Sequence, residues 1–298
     1  MIKTLDDLFR MAKKKETRRI SVAASADMAV LEAVYNAMKE DLVKPILVGD
    51  KDKTIQLCKE IGMPLKDITF IDEPNPVKAA QKAVMEVRAG RADILMKGMV
   101  GTGALLKAVL DKENGLRKGG LLSHLALFES PYYHKLIGVT DAAMNVAPDF
   151  DEKLQILLNA VEAYHKLGIK IPKVAVIGAV ETVNPKMEAT VHAAMLTQMN
   201  RRNQIKGCIV DGPLAIDNAV SKEAAEHKGI VSDVAGDVDI CLTPDINAGN
   251  VLYKTLGFIG GATSAAVLMG AAVPVVLTSR SDNEKSKMLS IALAAAME

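Results

Sequence analysis

The stretch from Asp239 to Arg280, DICLTPDINAGNVLYKTLGFIGGATSAAVLMGAAVPVVLTSR, decides the reading of the fold, because its strands end in polar residues that burial alone does not require. Ile240 to Leu242 reads as a short buried strand. It runs into Thr243-Pro244-Asp245 and then Asn247-Ala248-Gly249-Asn250, with a helical pattern from near Val251. Val273 to Leu277 reads as a second strand that ends in Thr278-Ser279-Arg280-Ser281-Asp282, ahead of another helix. In an open parallel α/β sheet, loops of this kind lie at the carboxyl ends of the strands, where ligands bind. They also lie beside the unpaired N–H groups of a helix N-terminus. The two loops are expected to face one crevice.

Outward from this stretch the chain alternates strands and helices. Arg19 to Ala23, Lys44 to Val48, Thr69 to Ile71 and Ala92 to Met96 read as strands, with helices opening near Ser25, Lys51, Asn75 and Gly101. Strands at Leu121 to Phe128 and Lys135 to Val139 come next, and a helix over Asp151 to Leu167. A second series has strands at Lys173 to Ile177 and Lys206 to Val210, a helix opened by Asn184 as N-cap and Pro185 at its first position, and a closing helix from Glu284. Alternation of this kind predicts parallel β-α units and a doubly wound sheet. The first crossing between domains is placed at Thr140, giving one domain of 1–139 plus 281–298 and a second of 140–280. No long linker rich in Pro, Gly or Ser separates them.

The chain's 298 residues are 49% apolar and 24% charged, with 37 Lys and Arg against 36 Asp and Glu. That is a globular composition with no global basic field for nucleic acid or an acidic membrane, so any anion site must be built locally. Nucleic acid and membrane are not expected as partners. The three cysteines, Cys58, Cys208 and Cys241, are odd in number and widely spaced, which fits a reducing cytoplasm, and the latter two read as buried thiols. The amino-terminal segment lacks a signal-type apolar core, so a cytoplasmic location is expected.

Lys97-Gly-Met-Val-Gly-Thr102-Gly103 places glycines and a lysine at a strand-to-helix corner. The lysine precedes the glycines, so this is not a nucleotide P-loop. Two readings stand: a local anion or thioester site using Lys97, Thr102 and the helix N-terminus, or a glycine-rich turn with an exposed lysine. The Thr140-Asp141-Ala-Ala-Met-Asn145 corner again carries polar groups past a strand. Ser123 and His124 are neighbours on a strand and point to opposite faces, so they form no nucleophile-base pair, and His124 reads as structural. The histidines lack metal-ligand spacing, no G-x-G-x-x-G or G-x-S-x-G occurs, and no metal is expected.

VAGDVDICLTPDINAGNVLYK, the Ser279-Arg280 pair in VVLTSRSD, the LMKG of the fourth strand and the TDAAMN corner together resemble the phosphate acetyl/butyryltransferase family, the last two its butyryl branch. The resemblance spans nearly the whole chain. It implies two α/β/α domains with mostly parallel sheets, as in isocitrate and isopropylmalate dehydrogenases, with an active site in the interdomain cleft. It also implies reversible acyl transfer between CoA and phosphate. By this resemblance Ser279 and Arg280 orient or stabilise the reacting thioester or acyl phosphate. The family's aspartate, seven residues after that serine and proposed as the base for the CoA thiol, falls at Ser286. Asp282 then stands as either the base or a helix cap. A further family arginine has no equivalent between Asn250 and Arg280. The candidate catalytic residues are therefore Ser279, Arg280 and Asp282. Candidate contacts to substrate are Lys97, Thr102, Asp141, Asn145, Asn184, Asp245, Asn247, Asn250 and Ser286. No resident cofactor is expected, CoA entering as a substrate, and a homo-oligomer is the expected assembly. Rival readings are an acetyl-specific enzyme, a catalytically silent CoA-binding protein, and an NAD-dependent hydroxy-acid dehydrogenase of the same fold.

Overall fold

The computed structural model of the chain describes residues 2–277 and 283–298. Helix α1 (Leu5–Lys13) precedes β1 (Arg18–Ala23), α2 (Met28–Lys39), β2 (Val43–Gly49), α3 (Lys51–Glu60), β3 (Thr69–Asp72), α4 (Pro76–Arg88), β4 (Ile94–Lys97) and α5 (Thr102–Val109). Strands β5 (Ser123–Glu129) and β6 (Ile137–Thr140) lead to α6 (Phe150–Lys166), β7 (Lys173–Ile177), α7 (Glu188–Arg201), β8 (Ile209–Leu214), α8 (Ile216–Val220) and α9 (Lys222–His227). The order closes with β9 (Ile240–Leu242), α10 (Ile246–Phe258), β10 (Thr263–Met269), β11 (Val275–Val276) and α11 (Glu284–Met297).

The chain divides into two compact units, Met1–Leu5 with Leu121–Ser264 and Asp6–Gly120 with Ala265–Glu298. These boundaries differ from the expected 139/140 and 280/281, and strand pairing explains why. Strand β5 pairs antiparallel with β6, and β6 pairs parallel with β9, so the residues from Leu121 go with the chain that follows them. In the other direction, β11 pairs parallel with β4, which draws the segment from Ala265 back to the amino-terminal strands. The Leu5 amide donates to Glu129 Oε2 at 2.7 Å, tying the first residues to the first unit.

Within the first unit the strand order is β5-β6-β9-β7-β8, parallel except for β5. Within the second it is β3-β2-β1-β4-β11-β10, parallel except for β10. Mostly parallel α/β architecture therefore holds in both. Each sheet has a point where successive connections run to opposite sides, between β7 and β9 in the first unit and between β1 and β4 in the second. Such switch points open a crevice at the carboxyl ends of the strands.

Local sequence accounts for most of these elements. The Asp27 carboxylate accepts from the Val30 amide to start α2, whose Val30, Leu31, Val34 and Ala37 form one buried stripe. Asn75 caps α4 with Pro76 in the first turn. Helix α11 is buried on nearly every side from Leu289 to Met297 and packs on α2. Cys58, Cys208 and Cys241 are all buried, and burial pushes the Cys241 thiol up to about 12. Among the described residues no helix is long and apolar enough to cross a membrane.

Three expectations are corrected. The run Thr263–Met269 is a strand, antiparallel to β11, where the sequence reading assigned none. Helix α10 starts at Ile246 rather than near Val251, since the Asp245 carboxylate accepts from both the Asn247 and Ala248 amides. Helix α7 starts at Glu188 rather than at Pro185, because Asn184 is drawn into a turn: its Oδ1 accepts from the Lys186 amide and its carbonyl from the Thr190 hydroxyl.

At the amino ends of the first unit's strands, Asp237 holds Lys135 at 2.9 Å, Lys173 at 2.7 Å and His134 Nε2 at 2.8 Å. Burial alone would raise the Asp237 carboxyl, but hydrogen bonds from Lys173, Lys135 and His134 outweigh it and hold the group well below the usual carboxylate range. A carboxyl lowered in the folded state adds stability above its unfolded value of about 3.9, and that stability is lost as pH falls through the folded value. Because the Asp237 side chain is 43% exposed, solvent screens much of the effect. Asp237→Asn is expected to cost on the order of 1 kcal/mol at pH 7 and to flatten the loss of stability below about pH 4, as read by urea unfolding across pH.

Candidate active site

In the first unit two strand-end loops, one after β6 and one after β9, are built as a single piece. Thr243 donates its amide to the Thr140 carbonyl at 2.7 Å, and its hydroxyl lies 3.2 Å from that carbonyl and 3.1 Å from that of Asp141. Asn250 Nδ2 donates to the Ala142 carbonyl at 3.1 Å, and the Ile246 amide donates to Val146. Residue 249 must be glycine for the loops to approach so closely. A Cβ there would lie 2.7 Å from Thr243 Oγ1 and closer still to the Asp141 carbonyl oxygen.

Asp141 organises the β6 corner. The side chain is buried, and Oδ1 accepts from the amides of Ala143 and Met144 at 2.8 and 2.9 Å. Its Oδ2 accepts from the His124 amide at 3.1 Å and from Asn145 Nδ2 at 2.6 Å, while Asn145 also donates to the Leu122 carbonyl. His124 packs edge-on to Tyr253, with ring centroids 5.7 Å apart. The side chains of Asp141, Asn145, Asp245 and Asn250 are thus committed to the scaffold, whereas Asn247 is exposed on the first turn of α10. The first N–H groups of α10 are taken by Val146 and Asp245, so this helix start is not the open anion site that the sequence suggested.

A group that sequence reasoning missed lies among the helix starts of the same unit. Lys153, 4% exposed, places Nζ 3.0 Å from His192 Nδ1, and the imidazole stands edge-on to Phe150 with centroids 5.5 Å apart. Burial pulls the Lys153 ammonium below its ordinary value, against the upward pull of Glu188, Asp245 and Asp149. Burial, followed by the Lys153 charge, lowers His192 as well. The signal was present in the sequence: Lys153 shares the helical stripe of Ile156, Leu157, Ala160 and Tyr164, the apolar face of α6.

In the second unit, β4 ends at Lys97 beside the switch point. Gly98 presses on the end of β1, where a Cβ would stand 2.6 Å from the Ala23 carbonyl oxygen and closer to that of Ala24. Lys97 Nζ donates to the Gly98 carbonyl at 3.3 Å. Helix α5 follows with Gly101 as an N-cap that supplies no side-chain acceptor. The Thr102 and Gly103 amides make no hydrogen bond among the described residues, and Gly101 and Gly103 border open space. Lys97, Thr102 and uncapped N–H groups are therefore brought to one corner, as an anion requires.

Ser279, Arg280 and Asp282 lie outside the described residues. Ser286 is buried in α11; its amide donates to Asn283 Oδ1 at 2.8 Å and its carbonyl accepts from the Ser290 hydroxyl at 2.8 Å. Asn283 is thus the cap of α11. Glu284, whose carboxylate accepts from Asn36, opens the helix.

With the fold and these corners in place, comparison with known proteins identifies the family. The model of the family described as "Phosphate acetyl/butaryl transferase" matches residues 72–295, well over half of the chain, and the chain belongs to that family. It is 49% identical over 295 residues to a phosphate butyryltransferase of Clostridium acetobutylicum, covering 99% of this chain and 98% of that one. It is 45% identical over 291 residues to a phosphate acetyltransferase of Thermotoga maritima, covering 98% of each. Among solved structures, a branched-chain phosphotransacylase from Enterococcus faecalis V583 superposes with a TM-score of 0.85 at 36% identity, covering 94% of this chain and 99% of that one.

Removing the Asp141 carboxylate leaves two loop amides, the His124 amide and the Asn145 side chain without their acceptor. Asp141→Ala is expected to cost about 3 kcal/mol in urea unfolding, more than Asn145→Ala at about 1–2 kcal/mol.

Proposed function

We propose that the chain is a phosphate butyryltransferase, moving the butyryl group reversibly between CoA and inorganic phosphate. The near full-length identity to a protein of that name carries this reading. The acetyl-transferring relative is only slightly more distant, so the acyl preference is a property of the pocket and not of the fold.

In the forward direction a phosphate oxygen attacks the thioester carbonyl carbon. The tetrahedral oxyanion that forms needs donors fixed in advance, a role that suits Ser279 and Arg280. Collapse breaks the C–S bond, leaving butyryl phosphate and the CoA thiolate, which takes a proton. Holding both substrates in one orientation supplies much of the acceleration. No covalent nucleophile is needed. In reverse, a thiol with an ordinary pKa of about 8.5 benefits from a base. Ser286, where the family has an aspartate, offers only a hydroxyl, so Asp282 is the proposed base. Lys97 with the open amides of Thr102 and Gly103 is the proposed seat of anionic substrate groups. Asn184 and Asn247 are proposed as polar contacts. Asp141, Asn145, Asp245 and Asn250 act by holding the first unit's loops.

The test is phosphate-dependent thiol release from butyryl-CoA, followed with a thiol reagent. The specificity constant for butyryl-CoA is expected to exceed that for acetyl-CoA by roughly tenfold or more, at about 0.8–1 kcal/mol for each of two methylenes. Equal or higher values with acetyl-CoA would move the reading to an acetyl enzyme. In the same assay Arg280→Ala should raise the barrier by about 2–4 kcal/mol with the melting temperature unchanged. Full turnover in that variant removes Arg280 from the chemistry.

A further inference from the structure

We propose that a cavity at the amino ends of the first unit's strands, the end opposite the loops after β6 and β9, binds a small carboxylate with a short aliphatic tail. The cavity has a volume of about 310 Å³ and lies wholly within that unit. Leu127, Leu136 and Leu167, all buried, give it an apolar lining that Ile171 continues on the connection from α6 to β7. Ile171 is 54% exposed, so this lining opens to solvent on one side. Ile2 and Lys3 reach the cavity along the amino-terminal segment, which the Leu5 amide ties to Glu129.

The charges around the cavity select the occupant. Lys135 Nζ meets Asp239 Oδ1 at 2.7 Å, Asp237 Oδ1 at 2.9 Å and the Asp237 carbonyl at 3.0 Å, which engages every N–H of its ammonium. Asp239 also accepts from the Lys173 amide at 2.8 Å. Lys173 Nζ makes a single bond, to Asp237 Oδ2 at 2.7 Å, and its other N–H groups have no partner among the described residues. The two lysines balance the two aspartates, so Lys3, exposed at the rim, leaves the cavity positive. A carboxylate would take the open N–H groups of Lys173 as charge-assisted hydrogen bonds and lay its tail on the leucines. An alkylammonium of the same length would face Lys173 and Lys3 and be repelled.

Two short strands join this cavity to the loops at the other end of the unit. Strand β6 has four residues and β9 three, so Asp239 and Thr243 lie only about 13 Å apart along the chain. At the cavity end the Asp239 carbonyl accepts from the Gly138 amide at 2.7 Å and from the buried Tyr164 hydroxyl at 2.6 Å, which holds β6, β9 and α6 together. Thr243 joins the same two strands at their far ends. A ligand that binds only the folded cavity stabilises that arrangement by mass action, and the loops after β6 and β9 are steadied with it.

Calorimetric titration of the full chain with hexanoate, with pentanoate and butyrate as shorter acids and with hexylamine as the same tail bearing the opposite charge, tests the assignment. Hexanoate should bind with a dissociation constant on the order of 1 mM, and each methylene removed should weaken binding about fourfold. Hexylamine should not bind at roughly ten times that concentration. Lys173→Met should weaken hexanoate by about tenfold. Ile171→Asp, at an exposed position that tolerates the change, sets a carboxylate beside the tail and should weaken it by a similar factor. In the bound chain, amide hydrogen exchange should slow over residues 134–146 and 237–250. Hexanoate that does not bind, that binds no better than hexylamine or butyrate, or that binds both variants as it does the wild type overturns the proposal. Protection confined to the corner around Lys97 and α5 also overturns it, since the acid then occupies the proposed transfer site. None of these readings depends on turnover, so a chain without transferase activity still decides the cavity.

Discussion

The carboxyl-end face of the first unit depends on one close approach, the Thr243 amide and hydroxyl against the carbonyls of Thr140 and Asp141. Parallel pairing of β6 with β9 brings the two chains side by side, but pairing ends at Thr140 and Leu242. Beyond that the backbone would leave buried carbonyls unpaired, which is costly. Thr243 supplies the missing donors, and Gly249 allows the α10 helix to reach the same carbonyl. Asp141 can then spend its carboxylate on four donors of its own loop and its neighbour. Loops built this way resist displacement, as a site that must hold reacting groups in place requires.

The same economy explains which candidate residues were legible. Polar residues just past strands marked the corners correctly, at Lys97, Asp141 and Asp245, because burial does not ask for them there. What the sequence could not reveal was the direction in which each polar group is spent. Asp245 and Asn250 sit in a loop motif that suggests ligand contact, yet their side chains hold backbone, and that depends on the register between β6 and β9. Asn184-Pro185 has the local signature of a helix start, and the Thr190 hydroxyl, six residues on, overrides it by pinning Asn184 into a turn.

Strand β10 was missed for a different reason. Thr263–Met269 mixes small residues with three large apolar ones and lacks the alternation that marks a half-buried strand. It is buried from Ala265 to Met269, so no polar face writes a period into the sequence. Lys153 is the converse case: a charged residue on an apolar helical stripe is visible in the sequence, but its meaning needs His192, brought from α7 by the fold.

Handling of anions in this chain must be local, since the net charge is +1. The helix starts show where. Asp27, Asp50, Asn75, Asp149, Asp245 and Asn283 each turn a side-chain acceptor onto the first amides of their helix, which neutralises the positive end of its dipole. Helix α7 lacks such a cap but carries Glu188 in its first turn, and α1 carries Asp6 and Asp7. Among the described helices of eight residues or more, α5 alone has neither a side-chain cap nor an acidic residue in its first turn. A helix start left uncapped costs stability unless something outside the chain satisfies it. Lys97 and the switch point beside it indicate a negatively charged group, and both substrates of phosphate-dependent acyl transfer carry one.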